Sequence, residues 1–137
     1  MTPRSAPETL PIQVSMDDPE PLYAQIERQL RALIVGGYLA AGTQLPSVRA
    51  LATDLSCSVI TTRRAYQELE GAGFIRTRQG MGTVVANLDT KAVEAHRREP
   101  VERAFAATIR DARETGMDDG ELREIFEAAL ATENGRS

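Results

Sequence analysis

Cysteine occurs once in the 137 residues and histidine once. The lone Cys57 has no partner for an internal disulfide, which excludes a disulfide-stapled secreted scaffold and points to a reducing compartment. His96 stands near Glu94 and Glu99, a spacing that makes no convincing ligand set, so it reads as a solvated helix residue and no metal is expected. No apolar run approaches the roughly 18 residues of a membrane helix. Met1 to Pro11 has one arginine and three prolines but no apolar h-region of a signal peptide. A cytoplasmic protein with no membrane partner is the expectation. Nucleophile–base pairings and phosphate-binding fingerprints are missing too, so neither an enzyme nor a bound cofactor is expected.

A basic excess is also lacking, since the formal net charge is −4. Its distribution says more than its sum. Through Asn87 there are eight Arg and eight Asp or Glu, whereas after it eight Lys or Arg face twelve Asp or Glu. The acidic excess therefore lies in the tail. From Arg49 to Gly82 five Arg against three acids leave +2, which is compatible with nucleic-acid binding without revealing it.

What is present centres on Leu45 to Val85. Two apolar-periodic segments, Val48 to Leu55 and Val59 to Leu69, are separated by Ser56-Cys57-Ser58, a helix, a tight turn and a longer helix. Val48, Leu51, Ala52 and Leu55 make one inward stripe and leave Arg49 on another face, with Ser47 as the cap. In the second helix Val59, Thr62, Ala65, Tyr66 and Leu69 point inward, while Ser58, Thr61, Arg63, Arg64 and Gln67 point elsewhere. Such a polar front on a second helix suits reading bases and phosphates. Gly71 and Gly73 mark the helix stop. Two β-prone runs follow, Phe74 to Arg78 and Thr83 to Ala86, joined by Gln79-Gly80-Met81-Gly82, whose glycines permit the positive φ of a hairpin tip. Arg76, Arg78 and Gln79 beside that tip can lie on a phosphate backbone or enter a minor groove.

The motifs L-P-S-V-R at 45–49, A-Y-Q-E-L-E-G-A-G at 65–73 and I-R-T-R-Q-G-M-G-T at 75–83 resemble the DNA-binding domain of the GntR family of bacterial transcription regulators over about residues 11–87. The same domain is fused elsewhere to aminotransferase-like modules, for which too little chain remains here; the short tail resembles the YtrA-like subfamily. The resemblance implies DNA contacts for Arg49 and Thr61, a small helical dimerisation module, and control of transporter genes, often with the regulator's own operon. Val59 and Ile60 depart from the polar or arginine residues common in the family, and what they offer DNA is contact with a thymine methyl. Ser56 and Cys57 replace the usual Gly-Val of the turn; Cys57 reads as a small buried hydrophobe.

The rest of the chain completes a mainly α fold with a small β-hairpin, a winged helix-turn-helix domain followed by a short helical dimerisation tail. Residues 1–10 read as a disordered N-terminal tail, poor in apolar side chains. Pro11 to Val14 alternates and reads as a short strand that could join the wing's sheet. Leu22 to Val35 is a helix with Leu22, Ile26, Leu30, Leu33 and Ile34 inward, ended by Gly36-Gly37. The domain spans 11–87 and buries Ile26, Leu30, Ile34, Leu39, Leu45, Val48, Leu51, Leu55, Tyr66, Leu69 and Ile75.

Residues 88–137 form the helical module. Val101, Phe105, Thr108, Ile109 and Ala112 share a face, Gly116 stops that helix, and Asp118 with Glu121 reads as a capping box opening a last helix with Leu122, Ile125, Phe126, Ala129 and Leu130 inward. Pro100 makes Thr90 to Glu99 a separate helix or one kinked there. Such stripes need the preceding domain or a second copy to cover them, and the homodimer is the preferred reading. The function expected is a homodimeric repressor on a palindromic double-stranded DNA operator. Its expected contact residues are Arg49, Ser58, Thr61, Thr62, Arg63, Arg64, Arg76, Arg78, Gln79, Gly80 and Gly82. A small-molecule effector has room at a dimer interface. The rival reading is a winged-helix protein-interaction module, which salt dependence would separate from DNA binding.

Overall fold

The structure, a computed structural model, describes residues 10–136; the disorder expected for Met1 to Thr9 lies outside them. In chain order come α1 (Leu22–Val35), α2 (Val48–Leu55), α3 (Val59–Gly71), β1 (Ile75–Arg78), β2 (Gly82–Val85), α4 (Thr90–Glu114) and α5 (Asp119–Asn134). Contacts divide the chain into two compact units between Glu94 and Ala95. No described helix is long and apolar enough to cross a membrane.

In the first unit α1 opens after Pro21, and Ile26, Leu30 and Ile34, spaced four apart, are buried along one face. Ser47 caps α2 by accepting from the Ala50 N–H at 3.0 Å, and Ser58 caps α3 by accepting from the Thr61 N–H at 3.0 Å. Helix α3 runs two residues past the apolar-periodic segment that ends at Leu69 and stops where Gly71 and Gly73 mark it, with Ala72 as its C-cap and Gly73 in the left-handed turn at φ 86°. There the Phe74 N–H reaches the Leu69 carbonyl and the Gly73 N–H the Glu70 carbonyl, each at 3.0 Å. That pattern closes the helix and drops Phe74 into the core at 1% exposure.

Strands β1 and β2 pair antiparallel, with Ile75 opposite Val85 and Arg78 opposite Gly82. The segment that extends this hairpin is 42–45. Gln44 bridges Val84, the Leu45 N–H donates to the Thr83 carbonyl at 2.8 Å, and the Val85 N–H donates to the Thr43 carbonyl at 2.9 Å. Residues 11–14, expected as a strand, run along α1 instead. Gln29 both donates to the Gln13 carbonyl and accepts from the Gln13 N–H, at 2.7 and 3.0 Å, and the buried Gln25 does the same for Ser15 at 2.8 and 2.9 Å. Two side-chain amides thus take the place of a strand partner and satisfy the backbone. The apolar alternation still holds, with Leu10 and Ile12 buried. Leu10 therefore belongs to the core, not to a tail, and Leu88 packs against that core as well.

The turn between α2 and α3 carries the one positive-φ non-glycine among the described residues, Ser56, at φ 54° and ψ 43°. A Cβ in this region is costly, and glycine is not penalised there. Ser56→Gly is expected to raise stability by about 0.5–1 kcal/mol and Tm by roughly 2–8 °C. Thermal unfolding of both proteins checks this, and an unchanged or lower Tm would refute it.

In the second unit α4 runs unbroken through Pro100, so Thr90 to Glu99 is not a separate helix. Alanine, glutamate and arginine on both sides are strong helix formers, and they sustain the helix across the backbone hydrogen bond that proline cannot donate. Gly116, at φ 82°, ends it as expected. Asp118 and Glu121 form the reciprocal capping box of α5, with the Glu121 N–H to Asp118 Oδ1 at 2.9 Å. Phe105 and Phe126 meet edge to face at 5.7 Å between ring centres. The apolar stripes are not buried within this unit. Val101, Phe105 and Ile109 on α4 and Ile125, Phe126 and Leu130 on α5 stay 38–55% exposed, and an open apolar cleft of about 520 Å³ lies between the two helices.

Candidate nucleic-acid interface

The geometry of α2, α3 and the hairpin rests on a few buried polar contacts. Tyr66, 5% exposed, donates its hydroxyl to the Pro46 carbonyl at 2.6 Å and so ties α3 to the entry of α2. Burial pushes this phenol well above the ordinary tyrosine value. A raised folded-state pKa means that its contribution is intact below the unfolded value near 10 and is lost as pH rises beyond it. Tyr66→Phe is expected to cost about 1–2 kcal/mol at pH 8. The gap between the two proteins should narrow by about 1.4 kcal/mol at pH 11. Urea unfolding at both pH values tests this; a gap independent of pH would show that the phenol is not held neutral by the fold.

Glu70 fixes the hairpin to α3, its Oε2 accepting from both the N–H and the hydroxyl of Thr77 at 3.1 Å. The result is a concave surface. Val48 from α2, Arg63 and Gln67 from α3, and Thr77 and Thr83 from the hairpin line one hollow. Strand alternation sets Thr77 toward α3 and Arg76 and Arg78 together on the other face of β1. Arg49, Arg63, Arg76 and Arg78 are all exposed, and among the described residues none of them is in an ion pair. Arg28, by contrast, is held by Glu20 at 3.0 Å, and that hydrogen bond raises its pKa. Exposed guanidinium groups without a carboxylate partner can meet phosphates and base edges.

Not every residue expected to contact DNA reaches this surface. Thr62 is fully buried, with its hydroxyl donating to the Ser58 carbonyl at 3.1 Å and lying 3.2 Å from Cys57 Sγ. It is a core residue, because its place on the inward stripe outweighs its polarity. Cys57 is half-buried beside the core. Arg64 stacks its guanidinium over the Tyr23 ring of α1, 3.7 Å from the ring centre, which draws it toward α1. Ser58 and Thr61 sit at the start of α3, joined by a 2.8 Å hydroxyl hydrogen bond. At the wing tip the Met81 N–H donates to the Arg78 carbonyl at 3.0 Å, leaving Gln79 and Gly80 exposed, and Gly80 and Gly82 take φ of 82° and 71°. Sequence reasoning did not single out Glu70 as the anchor of the wing; its only signal was an acid at the end of the helix facing a threonine in the strand.

A solved GntR-family regulator from Listeria monocytogenes is 30% identical, with a TM-score of 0.73 over 82% of this chain and 98% of its own. The family described as bacterial regulatory proteins, gntR family, matches residues 22–85. The HTH-type transcriptional repressor YtrA of Bacillus subtilis is 34% identical over 125 residues, 90% of this chain and 95% of that protein. The chain belongs to the GntR family. It is a sequence-specific DNA-binding transcriptional regulator of the YtrA-like type. The DNA-binding domain of AraR, solved in complex with operator ORX1, is 28% identical, with a TM-score of 0.50 over 55% of this chain and 96% of its own. The GntR family and the relatives found are transcriptional regulators, not enzymes.

Proposed function

We propose that this protein is a cytoplasmic, homodimeric repressor that sets α3 of each subunit in the major groove of a palindromic operator and lays the hairpin alongside. The observation that carries the reading is the hollow where Arg63 and Gln67 of α3 meet the start of α2 and the wing, together with Arg49, Arg76 and Arg78, exposed on α2 and β1 and, among the described residues, without a carboxylate partner. Arg63 reads a base edge, and Arg49, Arg76 and Arg78 bind phosphates. Ser58, Thr61, Gln79, Gly80 and Gly82 supply shorter contacts from the helix start and the wing tip. Arg64, held on Tyr23, serves as a phosphate contact at the edge.

Residues 88–137 join the two copies. Six apolar side chains left half-exposed on α4 and α5, and the open cleft between those helices, support this. A two-fold dimer then requires half-sites about one helical turn apart. Similarity to the YtrA repressor supports repression, and the YtrA-like character of the short tail implies control of transporter genes and of its own operon. An effector, where one acts, must bind the DNA-competent and incompetent dimer arrangements with different affinity; the dimer interface is the place for it.

A footprint of the protein on DNA upstream of its own gene, repeated at several salt concentrations, tests the reading. Four phosphate contacts per subunit, from Arg49, Arg64, Arg76 and Arg78, give eight in the dimer and a slope of log K against log salt of about −7. Symmetric protection with that slope is expected. Binding that ignores both sequence and salt would point to a protein partner.

A further inference from the structure

Large apolar residues exposed in the first unit are Met16, Tyr38 and Ile60. Met16 and Tyr38 lie in turns, whereas Ile60 stands on the second residue of α3 at 77% exposure. Folding does not explain it. The side chain touches no core, and a β-branched residue is a poorer helix former than alanine, arginine or glutamine. Its neighbour Val59 is half-buried on the inward side and cannot share its role. Ile60, Arg63, Arg64 and Gln67 fall at i, i+3, i+4 and i+7, one exposed face of the helix.

We propose that Ile60 reads the 5-methyl group of a thymine in the major groove of each half-site. The inference rests on α3 being the recognition helix. Residues at the start of such a helix face base edges, and the thymine methyl is the one apolar group that the major groove presents. Isoleucine has no donor or acceptor, so against cytosine N4, adenine N6 or guanine O6 it would displace water from a polar edge and return nothing. Against a methyl it buries apolar surface on both partners. Ile60 thus acts by attraction to thymine and by exclusion of the other bases, and Arg63, one turn later, reads a neighbouring position. A helical turn of about 5.4 Å places the thymine about one to two base pairs from the base under Arg63.

The test uses the full chain. Preferred sites are selected from random duplexes with the wild-type protein, and each thymine of the selected site is then replaced by deoxyuridine, which removes only the methyl. One thymine per half-site is expected to weaken binding about fourfold when replaced, and about 15-fold when both half-sites are changed. With Ile60→Ala, thymine and deoxyuridine at that position should bind equally. Ile60→Val, which keeps part of the contact, should retain about half of the logarithmic effect. The exposure of Ile60 predicts no loss of Tm for Ile60→Ala, where alanine is the better helix former, and little change for Ile60→Val. A selected site with no deoxyuridine-sensitive thymine, or a sensitivity that persists in Ile60→Ala, would overturn this inference alone. Failure of the wild-type protein to select any site would overturn the recognition-helix reading and this inference with it.

Discussion

With residues 88–137 joining two copies as proposed, Ile125→Glu is expected to yield monomers and to weaken operator binding by about 10²–10⁴-fold. Ile125 is 55% exposed within one copy, so the substitution removes little packing from the protomer itself. In an isologous interface, however, it places two carboxylates, one from each copy, into the apolar surface that Ile125 lines with Phe105, Ile109 and Phe126. Each would be an ionised group taken out of water without a partner, at a cost of several kcal/mol. The loss of affinity follows from valency. A monomer engages one half-site, and the second engagement no longer benefits from the millimolar effective concentration that tethering supplies. Sedimentation should show the monomer mass, circular dichroism should show unchanged helix content, and a mobility shift should fall to half-site affinity. A variant that stays dimeric, or one that becomes monomeric yet binds the full operator as before, would show that 88–137 is not the joint on which operator binding depends.

Fold and interface were legible to different degrees, for reasons visible in single residues. Helices α1 and α2 are legible to their ends because apolar spacing agrees with the flanking signals, Pro21 and Gly36-Gly37 around α1 and Ser47 before α2. The stop of α3 is legible at Gly71-Ala72-Gly73, but only the backbone shows that Gly73, not Gly71, carries the positive φ. The path of residues 10–15 was hidden for another reason. Alternation correctly marks Ile12 and Val14 as inward but does not reach Leu10, and the partner of this segment is a pair of glutamine side chains sixteen and ten residues on, which no periodicity encodes. The same limit applies to the interface. Arg49 and Arg63 follow from helix geometry, but the Thr62 hydroxyl turns inward to the Ser58 carbonyl, and the stack of Arg64 on Tyr23 joins two helices distant in sequence. Local pattern says which face a residue occupies; only the packed chain says what that face meets.

That distinction between adjacent arginines gives the other large effect. Arg63 and Arg64 point about 100° apart, the former lining the hollow between α2, α3 and the wing, the latter lying over the Tyr23 ring. If Arg63 makes a bidentate contact to a guanine, Arg63→Ala costs about 1–3 kcal/mol in each half-site and so about 2–6 kcal/mol on a symmetric operator. That is a loss of roughly 30-fold to more than 10⁴-fold, and it must be selective, since the variant should bind operators altered at that base as well as the original. Arg64→Ala is expected to behave in the opposite way. It removes the stack between α3 and α1 and lowers stability by about 0.5–1 kcal/mol, while lowering affinity only about threefold and equally for all sequences through one lost charge per subunit. Binding isotherms on the operator and its single-base variants, beside thermal unfolding, read both effects. A uniform loss for Arg63→Ala would assign that residue to the phosphates. A sequence-selective loss for Arg64→Ala would mean that this guanidinium leaves Tyr23 on binding, and the base-reading role would pass to it.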